Sequence, residues 1–434
     1  MSVRGGASWS ATYCKQYGRD RWNVLLNALA DVPTQIAFVA PTISHSALRY
    51  LQRKSRFLPC VIPNCFIHDS NAELRMDNES SAPSSSALPT STALVESNTI
   101  GASDAGRSTV HAVATNFPCN NCEHPGASGQ GPANRDLNKQ VQIVDDDHVI
   151  EEAREKTYFL DGASALAAYA LGAQPGEVVL DMCAAPGGKS LIISCMITVA
   201  RVPYYAIGSP SMPYHIRSSE DDEDDQGGLL VCNDASRDRL ARLQATMSKF
   251  LPEYATAGQR LQFSCADVCK GGSFERFAPY DRILLDAPCS SDRHLLHKGG
   301  SAIANWSPST PKAHAERQLK MLLIASKLLK RNGILLYTTC SLSEAENDAV
   351  IEKFLKKAKV NVKILPLFSG EWPPEVRLLD RVAAVQPRTT DLPSVGHSKS
   401  AVFSIEKLKH GFAMLPDMSN FGPMYFCKMQ ITGQ

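Results

Sequence analysis

The chain of 434 residues lacks any apolar run long enough to cross a bilayer, which excludes a helical membrane span and predicts a soluble protein with no membrane partner. Its thirteen cysteines follow no repeating framework, so they fit a reducing compartment better than a secreted disulfide scaffold. Charge of one sign is lacking too. The net charge is +1, and the overall balance names no partner. No apolar signal core opens the chain; Arg4, Ser8, Ser10 and Thr12 give the start a basic, hydroxyl-bearing character weakly like a transit peptide.

One stretch organises the rest. Residues 177–190 read Glu-Val-Val-Leu-Asp-Met-Cys-Ala-Ala-Pro-Gly-Gly-Lys-Ser, a β-branched run ending in Asp181, then a tight loop opening into Ser190-Leu-Ile-Ile. Strand, glycine turn and helix in that order bind nucleotide-like ligands, because Gly187 and Gly188 let the backbone come close while the first helical amides point at a negative group. The rival reading is a phosphate-binding loop. Gly188-Lys189-Ser190 matches the end of its motif, and Ile283-Leu284-Leu285-Asp286 looks like a magnesium-carrying strand end. The leading glycine is missing, however. Cys183 stands in its place, and Pro186 removes an amide from the cradle. A carboxylate-bearing, adenosine-containing cofactor tolerates both changes, with Cys183, Ala184, Ala185 and Pro186 forming the approach to the glycines.

Around this stretch the composition shifts. Over residues 1–60 eight Lys or Arg face only Asp20 and Asp31, so residues 1–68 read as a basic helical extension able to meet phosphate backbones, or as a solvated face. Trp22, Leu25, Leu26 and Leu29 predict a helix from about Gly18 to Ala30, its stripe core rather than binding surface. Residues 69–140 hold eleven serines and little aliphatic content, which predicts a disordered insertion. Cys119, Cys122 and His124 inside it would need Cys60, Cys65 or His68 to complete a zinc site, and free cysteines are the default. From Asp145 the chain reads as globular, with Thr157–Asp161 and a helix Ala163–Leu171 leading to the central strand. A second insertion spans 202–228, where Glu220 to Asp225 is an unbroken acidic run.

Strand and helix then alternate. Leu229–Asn233 ends in Asp234, placed for ribose hydroxyls; the strand from Leu261 ends in Asp267, suited to an adenine edge, although either Asp could simply cap the next helix. A fourth strand ends in Asp286-Ala-Pro-Cys289-Ser-Ser-Asp292-Arg293-His294, and a fifth, from Gly333, in Cys340-Ser341. The fold class is α/β, a doubly wound Rossmann-like sheet in which these ends face one crevice. One buried cysteine proves little, since cysteine is also a small hydrophobe. Two, beside Asp286 and His294, suggest nucleophilic chemistry. Six basic residues against Glu316 over 311–331 give the segment flanking the cleft a positive surface, with Leu319, Leu322, Leu323 and Leu329 as its buried face. Val402, Phe403, Ile405 and Met424 to Met429 read as late strands, expected to form an antiparallel pair at the sheet edge.

Three of these motifs, Asp181-Met-Cys-Ala-Ala-Pro-Gly-Gly-Lys-Ser, Asp286-Ala-Pro-Cys-Ser and Thr338-Thr-Cys-Ser-Leu-Ser-Glu-Ala-Glu-Asn, resemble, in that order, the Sun/NSUN family of RNA cytosine-5 methyltransferases over about residues 157–355. Asp292-Arg293-His294, Tyr13 to Leu26 and Asn420-Phe-Gly-Pro-Met-Tyr-Phe-Cys-Lys are similar to its mitochondrial ribosomal-RNA subgroup. The Ser-rich and acidic insertions depart from the family.

The resemblance implies a class I methyltransferase sheet at 141–434, S-adenosylmethionine as cofactor, rRNA as partner, a mitochondrial location and a helical-repeat protein as a further possible partner. It implies Cys340 as the thiolate that adds to cytosine C6, Asp286 as the contact to the base, and Cys289 as the residue of product release. It also assigns Lys189 with Gly187 and Gly188 to the methionine part of the cofactor, Asp234 to its ribose, Asp267 to its adenine, and Arg239 to its edge or to a carboxylate partner. A non-catalytic RNA-binding assembly factor and, less favoured, a phosphate-loop ATPase stay as alternatives.

Overall fold

A computed structural model describes residues 4–54, 57–68, 147–198, 227–251, 260–379 and 403–433 of the chain. The insertion expected over 69–140, with Cys119, Cys122 and His124, and the acidic insertion expected from 202 up to residue 226 lie outside the described residues. Among the described residues no group of His, Cys, Asp or Glu is placed to hold a metal ion. Burial pushes the Cys60 thiol up to about 12 and the Cys65 thiol well above its ordinary value, so both stay protonated hydrophobes.

Helices α1 (Arg4–Tyr17) and α2 (Arg19–Ala30) open the fold, α2 where its apolar spacing predicts it. Its stripe is core: Trp22, Leu25 and Leu29 are buried with Trp9 and Tyr13. The Trp9 ring sits edge-on to Tyr13 at 5.6 Å and to Trp22 at 5.2 Å between centroids, contacts worth about 0.5–1.5 kcal/mol each beyond burial.

Past Ala30 the expected all-helical extension does not continue. The chain forms β1 (Gln35–Val39), α3 (His45–Arg53), β2 (Phe57–Pro59) and β3 (Cys65–His68). After α4 (Asp147–Glu155), β4 (Thr157–Asp161) completes an antiparallel sheet of order β2-β3-β1-β4. Charge counting missed these strands because their cohesion is not local. The partner that pairs Ile36 with Leu160 and Phe38 with Tyr158 arrives only beyond the Ser-rich stretch. One face, with Ile36, Phe38 and Leu160, joins the main core, while the other, with Ala37, Val39 and Phe66, packs with Leu48 and Leu51 of α3 and Ala153 of α4.

The Asp161 carboxylate accepts from Ala163 N at 2.8 Å and starts α5 (Gly162–Ala170), whose alanines are all buried. Then follow β5 (Val178–Asp181), α6 (Gly188–Ile197), β6 (Leu229–Asn233), α7 (Arg237–Phe250), β7 (Leu261–Ser264) and β8 (Tyr280–Asp286). Next come α8 (Asp292–Lys298), α9 (Gly300–Ala304), α10 (Ser309–Leu328), β9 (Leu329–Thr339) and α11 (Asp348–Lys357). Parallel pairing gives the order β7-β6-β5-β8-β9. Alternate residues feed two cores: Val179, Leu230, Leu284 and Leu336 one, Leu180, Val231, Leu285 and Tyr337 the other. Burial on both faces is why these strands read as continuous apolar runs. Because the chain winds both ways from β5, the carboxyl ends of β5, β6 and β8 open onto one crevice.

The sheet is extended by β10 (Asn361–Leu365), β11 (Val376–Leu379), β12 (Phe403–Lys407) and β13 (Phe412–Met414), then α12 (Pro416–Ser419) and β14 (Met424–Gly433). The late strands around Phe403 and Met424 do not pair with each other as expected. A tight reversal, with Leu408 N on Gly411 O at 2.8 Å, folds β13 back between them, and β14 pairs antiparallel with β9.

Arg21 is 7% exposed and its guanidinium joins Glu406 of β12 and Asp417 of α12, the latter at 3.0 Å, so one cation locks α2 onto the far edge of the fold. Arg21→Ala leaves two buried carboxylates uncompensated. We expect a stability loss of about 3–5 kcal/mol by urea unfolding; a loss below about 1 kcal/mol would show that water replaces the guanidinium.

Candidate active site

The loop leaving β5 is pinned to both neighbouring strands, Met182 N to Leu284 O at 2.9 Å and Ala184 N to Asn233 O at 2.8 Å. Asn233 adds a staple that sequence reasoning missed by stopping at the adjacent Asp234. Its amide donates to Met182 O and to Ala266 O, each at 3.0 Å, and so fixes three strand ends together. Burial, then Asp181, pushes the Cys183 thiol well up, so this cysteine is not a nucleophile. Gly187 caps α6 at φ 119, ψ −11, a conformation side chains resist, and the helix start carries no side-chain cap. Its first amides therefore remain available to an anionic group.

The acidic strand ends line the same crevice. Asp234, 3% exposed, accepts from Ser236 N at 3.0 Å and pairs with Arg239 at 3.2 Å. Arg239 also donates to Ala185 O at 2.7 Å, so of its two expected roles the structure shows the carboxylate partner, tying β6 to the Pro186-Gly187-Gly188 turn. Asp267 accepts from Cys269 N at 3.1 Å and from Arg317 at 3.2 Å, a half-exposed ion pair worth little by itself. Lys189, assigned by the resemblance to the cofactor, is bound here to Asp286 at 2.8 Å and Ser164 Oγ at 3.0 Å. Burial pulls its ammonium down, but Asp286 outweighs that and holds Lys189 above the ordinary lysine value.

The register of β8 on β9 decides the rest. Asp286 lies beside Thr338, whose hydroxyl donates to it at 2.9 Å, and Ala287 N donates to Thr338 O at 2.9 Å. The two chains leave the sheet side by side, and Cys289 Sγ stands 3.3 Å from Cys340 Sγ. That is a thiol contact, well beyond the ~2.05 Å of a disulfide. Ser291 Oγ sits 3.3 Å from Cys340 Sγ and 3.6 Å from Cys289 Sγ. The shared bond splits the two thiols. Donation from Cys289 is the largest influence holding Cys340 below the ordinary thiol value against burial, with Ser291 and Lys189 helping; the same bond, then burial, pushes Cys289 well up. Of the two sulfurs Cys340 is therefore the one that gives up its proton more readily and Cys289 the one that keeps it. His294, expected beside them, is exposed on α8 and does not join the pair.

Behind the thiols lies a buried clamp. Glu346, fully buried, accepts from Ser290 N at 3.1 Å, Ser290 Oγ at 2.5 Å, Ser341 Oγ at 2.8 Å and Gln318 Nε2 at 2.9 Å. The Ser290 and Ser341 hydroxyls also approach each other at 2.8 Å. Two hydroxyl hydrogens cannot fill these three oxygen-to-oxygen contacts. Burial pushes the Glu346 carboxyl up, against the pull of the hydrogen bonds it accepts from Ser290, Ser341 and Gln318. Asp292 accepts from Trp9 Nε1 at 3.0 Å, Tyr13 OH at 2.8 Å and Leu342 N at 2.8 Å, which hangs α1 on the same loop. The sequence signal was an acidic residue shortly after each cysteine.

Asp181 is buried with one carboxylate oxygen on Ser190 Oγ at 2.7 Å and the other without a partner, and burial pushes it up to about 7. An acid whose folded pKa is raised keeps its proton while the unfolded chain has lost it, so its contribution to stability falls as pH rises from about 4 to about 7. Asp181→Asn keeps the bond from Ser190. Urea unfolding across that window should show the variant losing less stability than the natural chain, by on the order of 4 kcal/mol; parallel curves would refute the buried protonated carboxyl.

Residues 224–373 match the family model of the RsmB/F 16S rRNA methyltransferases. The chain is 32% identical over 283 residues to the 5-cytosine rRNA methyltransferase NSUN4 of Bos taurus, covering 63% of this chain and 59% of that one. It is 33% identical over 202 residues to the mitochondrial tRNA (cytosine(34)-C(5))-methyltransferase of Mus musculus, covering 46% and 49% of the two chains. The chain thus spans about three fifths of the Bos taurus protein. A crystal structure of NSun6 from Pyrococcus horikoshii with SFG shares the fold at TM-score 0.52 and 14% identity, covering 98% of each chain. In sequence the chain is similar to RNA cytosine-5 methyltransferases, and in fold it shares the doubly wound α/β sheet of the Pyrococcus horikoshii structure.

Proposed function

We propose that this protein is an S-adenosylmethionine-dependent RNA cytosine-5 methyltransferase that acts on mitochondrial small-subunit rRNA through a covalent adduct between Cys340 and cytosine C6. The 3.3 Å approach of Cys289 and Cys340 carries the reading, because a lone buried thiol would serve packing equally well. The donors of the crevice fit the cofactor. The uncapped start of α6 suits its carboxylate, Asp234 its ribose hydroxyls and Asp267 its adenine. When bound, it supplies an electrophilic methyl carbon.

The residues of the chain do the remaining work. Cytosine C5 is a poor nucleophile until a sulfur anion adds at C6 and pushes electron density onto it. Cys340, already favoured as thiolate, performs that addition. Asp286 contacts the ring nitrogen and amino group of the base and stabilises the charge that develops there. After methylation the C5 proton leaves and the sulfur–C6 bond breaks. Cys289, which keeps its proton, serves release directly or through a neighbouring base. The target must leave its stack to reach these thiols, so single-stranded or flipped RNA is the substrate form.

The flanking helix supports the RNA partner. Of the six basic residues over 311–331, Lys330 and Arg331 open β9 and, with Lys327, lie at the amino end of the sheet away from the crevice; on α10 Arg317 is paired with Asp267, leaving Lys312 and Lys320 to steer phosphates. The rRNA class is supported by the names of relatives, and the mitochondrial small-subunit target by the subgroup that Asp292-Arg293-His294 and the C-terminal Asn420-Phe-Gly-Pro-Met resemble. This target predicts that bisulfite sequencing of organellar small-subunit rRNA from cells lacking this protein loses a methylcytosine; an unchanged map moves the target elsewhere.

Two substitutions separate the thiols. Cys340→Ala should abolish methyl transfer. Cys289→Ala should instead accumulate a protein–RNA adduct, visible as a slow band on a denaturing gel; turnover in the first variant, or no band in the second, would count against the assignment.

A further inference from the structure

Ser291 stands where a helix is normally capped, immediately before α8, yet its side chain makes no capping hydrogen bond. Its backbone is left-handed, φ 51 and ψ 59, a region that residues with a side chain seldom enter. Such a conformation persists only when the surroundings dictate it, and it clusters at functional sites. Here the neighbours on both sides are fixed: Glu346 holds Ser290 by its amide and hydroxyl, and Asp292 is anchored by Trp9, Tyr13 and Leu342 N. The strained turn brings the Ser291 hydroxyl to the two sulfurs.

The hydroxyl has one proton and three acceptors in reach: Cys340 Sγ at 3.3 Å, Cys289 O at 3.4 Å and Cys289 Sγ at 3.6 Å. A sulfur anion outcompetes a neutral carbonyl for that proton, since bonds to ionised acceptors are about twice as strong. Cys289 already spends its own S–H on the same target. We infer that Ser291 is a further catalytic residue, whose hydroxyl joins the Cys289 thiol as the second donor holding Cys340 as the attacking sulfur anion. This rests on the methyltransferase reading above and adds to it a residue that touches the nucleophile.

The test is alkylation of Cys340 by iodoacetamide in the full-length protein, followed as a function of pH by mass spectrometry of the peptide containing Cys340. Ser291→Ala and Ser291→Gly should each move the midpoint up by about one pH unit, an about tenfold slower reaction at pH values below both midpoints. Glycine relaxes the left-handed backbone, so Ser291→Gly should melt no lower than the natural chain while still losing reactivity. A purely structural serine would leave the alkylation midpoint unchanged in both variants, whatever they do to stability, and that result overturns the inference. Alkylation needs no RNA. An unchanged midpoint in a variant background that still forms the RNA adduct removes Ser291 and leaves the proposed function; a shifted midpoint in a protein that never forms the adduct supports the Ser291 contact and removes the methyltransferase reading.

Discussion

Two buried carboxylates, Asp292 and Glu346, hold together the loops that follow β8 and β9, and the placement of both sulfurs depends on that clamp. Neither loop belongs to the sheet, so the ladder alone does not fix them. Glu346 reaches the first through Ser290 and the second through Ser341, and Asp292 receives Leu342 N. Hydrogen bonds to charged groups contribute about 1.5–3 kcal/mol each, and leaving such a group buried without partners costs more, so the cluster is held as a unit. The distance between Cys289 and Cys340 is thus set by groups that never touch them.

The same clamp extends to the start of the chain. Trp9 and Tyr13 of α1 donate to Asp292, while Arg293 donates to Ala28 O and Gly422 O and His297 bonds Leu29 O, closing the carboxyl end of α2. The Asp292-Arg293 pair therefore has a mechanical meaning: one residue faces inward to the thiol loop and α1, the next outward to α2. Loosening of the N-terminal helices is felt in the loop that carries Cys289.

The crevice divides charge with economy. A parallel sheet delivers acids to its carboxyl edge, and each is given a different partner: Asp181 a serine, Asp234 an arginine, Asp286 a lysine. Burial with no cation in contact raises Asp181, whereas Asp286 lies against Lys189 and holds that ammonium above the ordinary lysine value. The thiols follow the same logic, the hydrogen bond between them lowering Cys340 and raising Cys289.

The parallel core, the glycine turn, the strand-end acids and α2 were legible in the residues, because each is written in a local pattern of apolar period, turn chemistry and capping. The small sheet built from residues 35–68 and 157–161 was not, since its strands find partners only across the Ser-rich stretch, nor was the insertion of β13 between β12 and β14. Of the candidate site, sequence order alone determined which residue types stand at the strand ends. Only the tertiary structure decided that Lys189 faces Asp286, that His294 stays outside, and that Glu346, Asn233 and Ser291 stand behind the chemistry. Spacing along a chain dictates local conformation, but the meeting of two loops is decided by strand register and by buried groups that must find a partner wherever the fold supplies one.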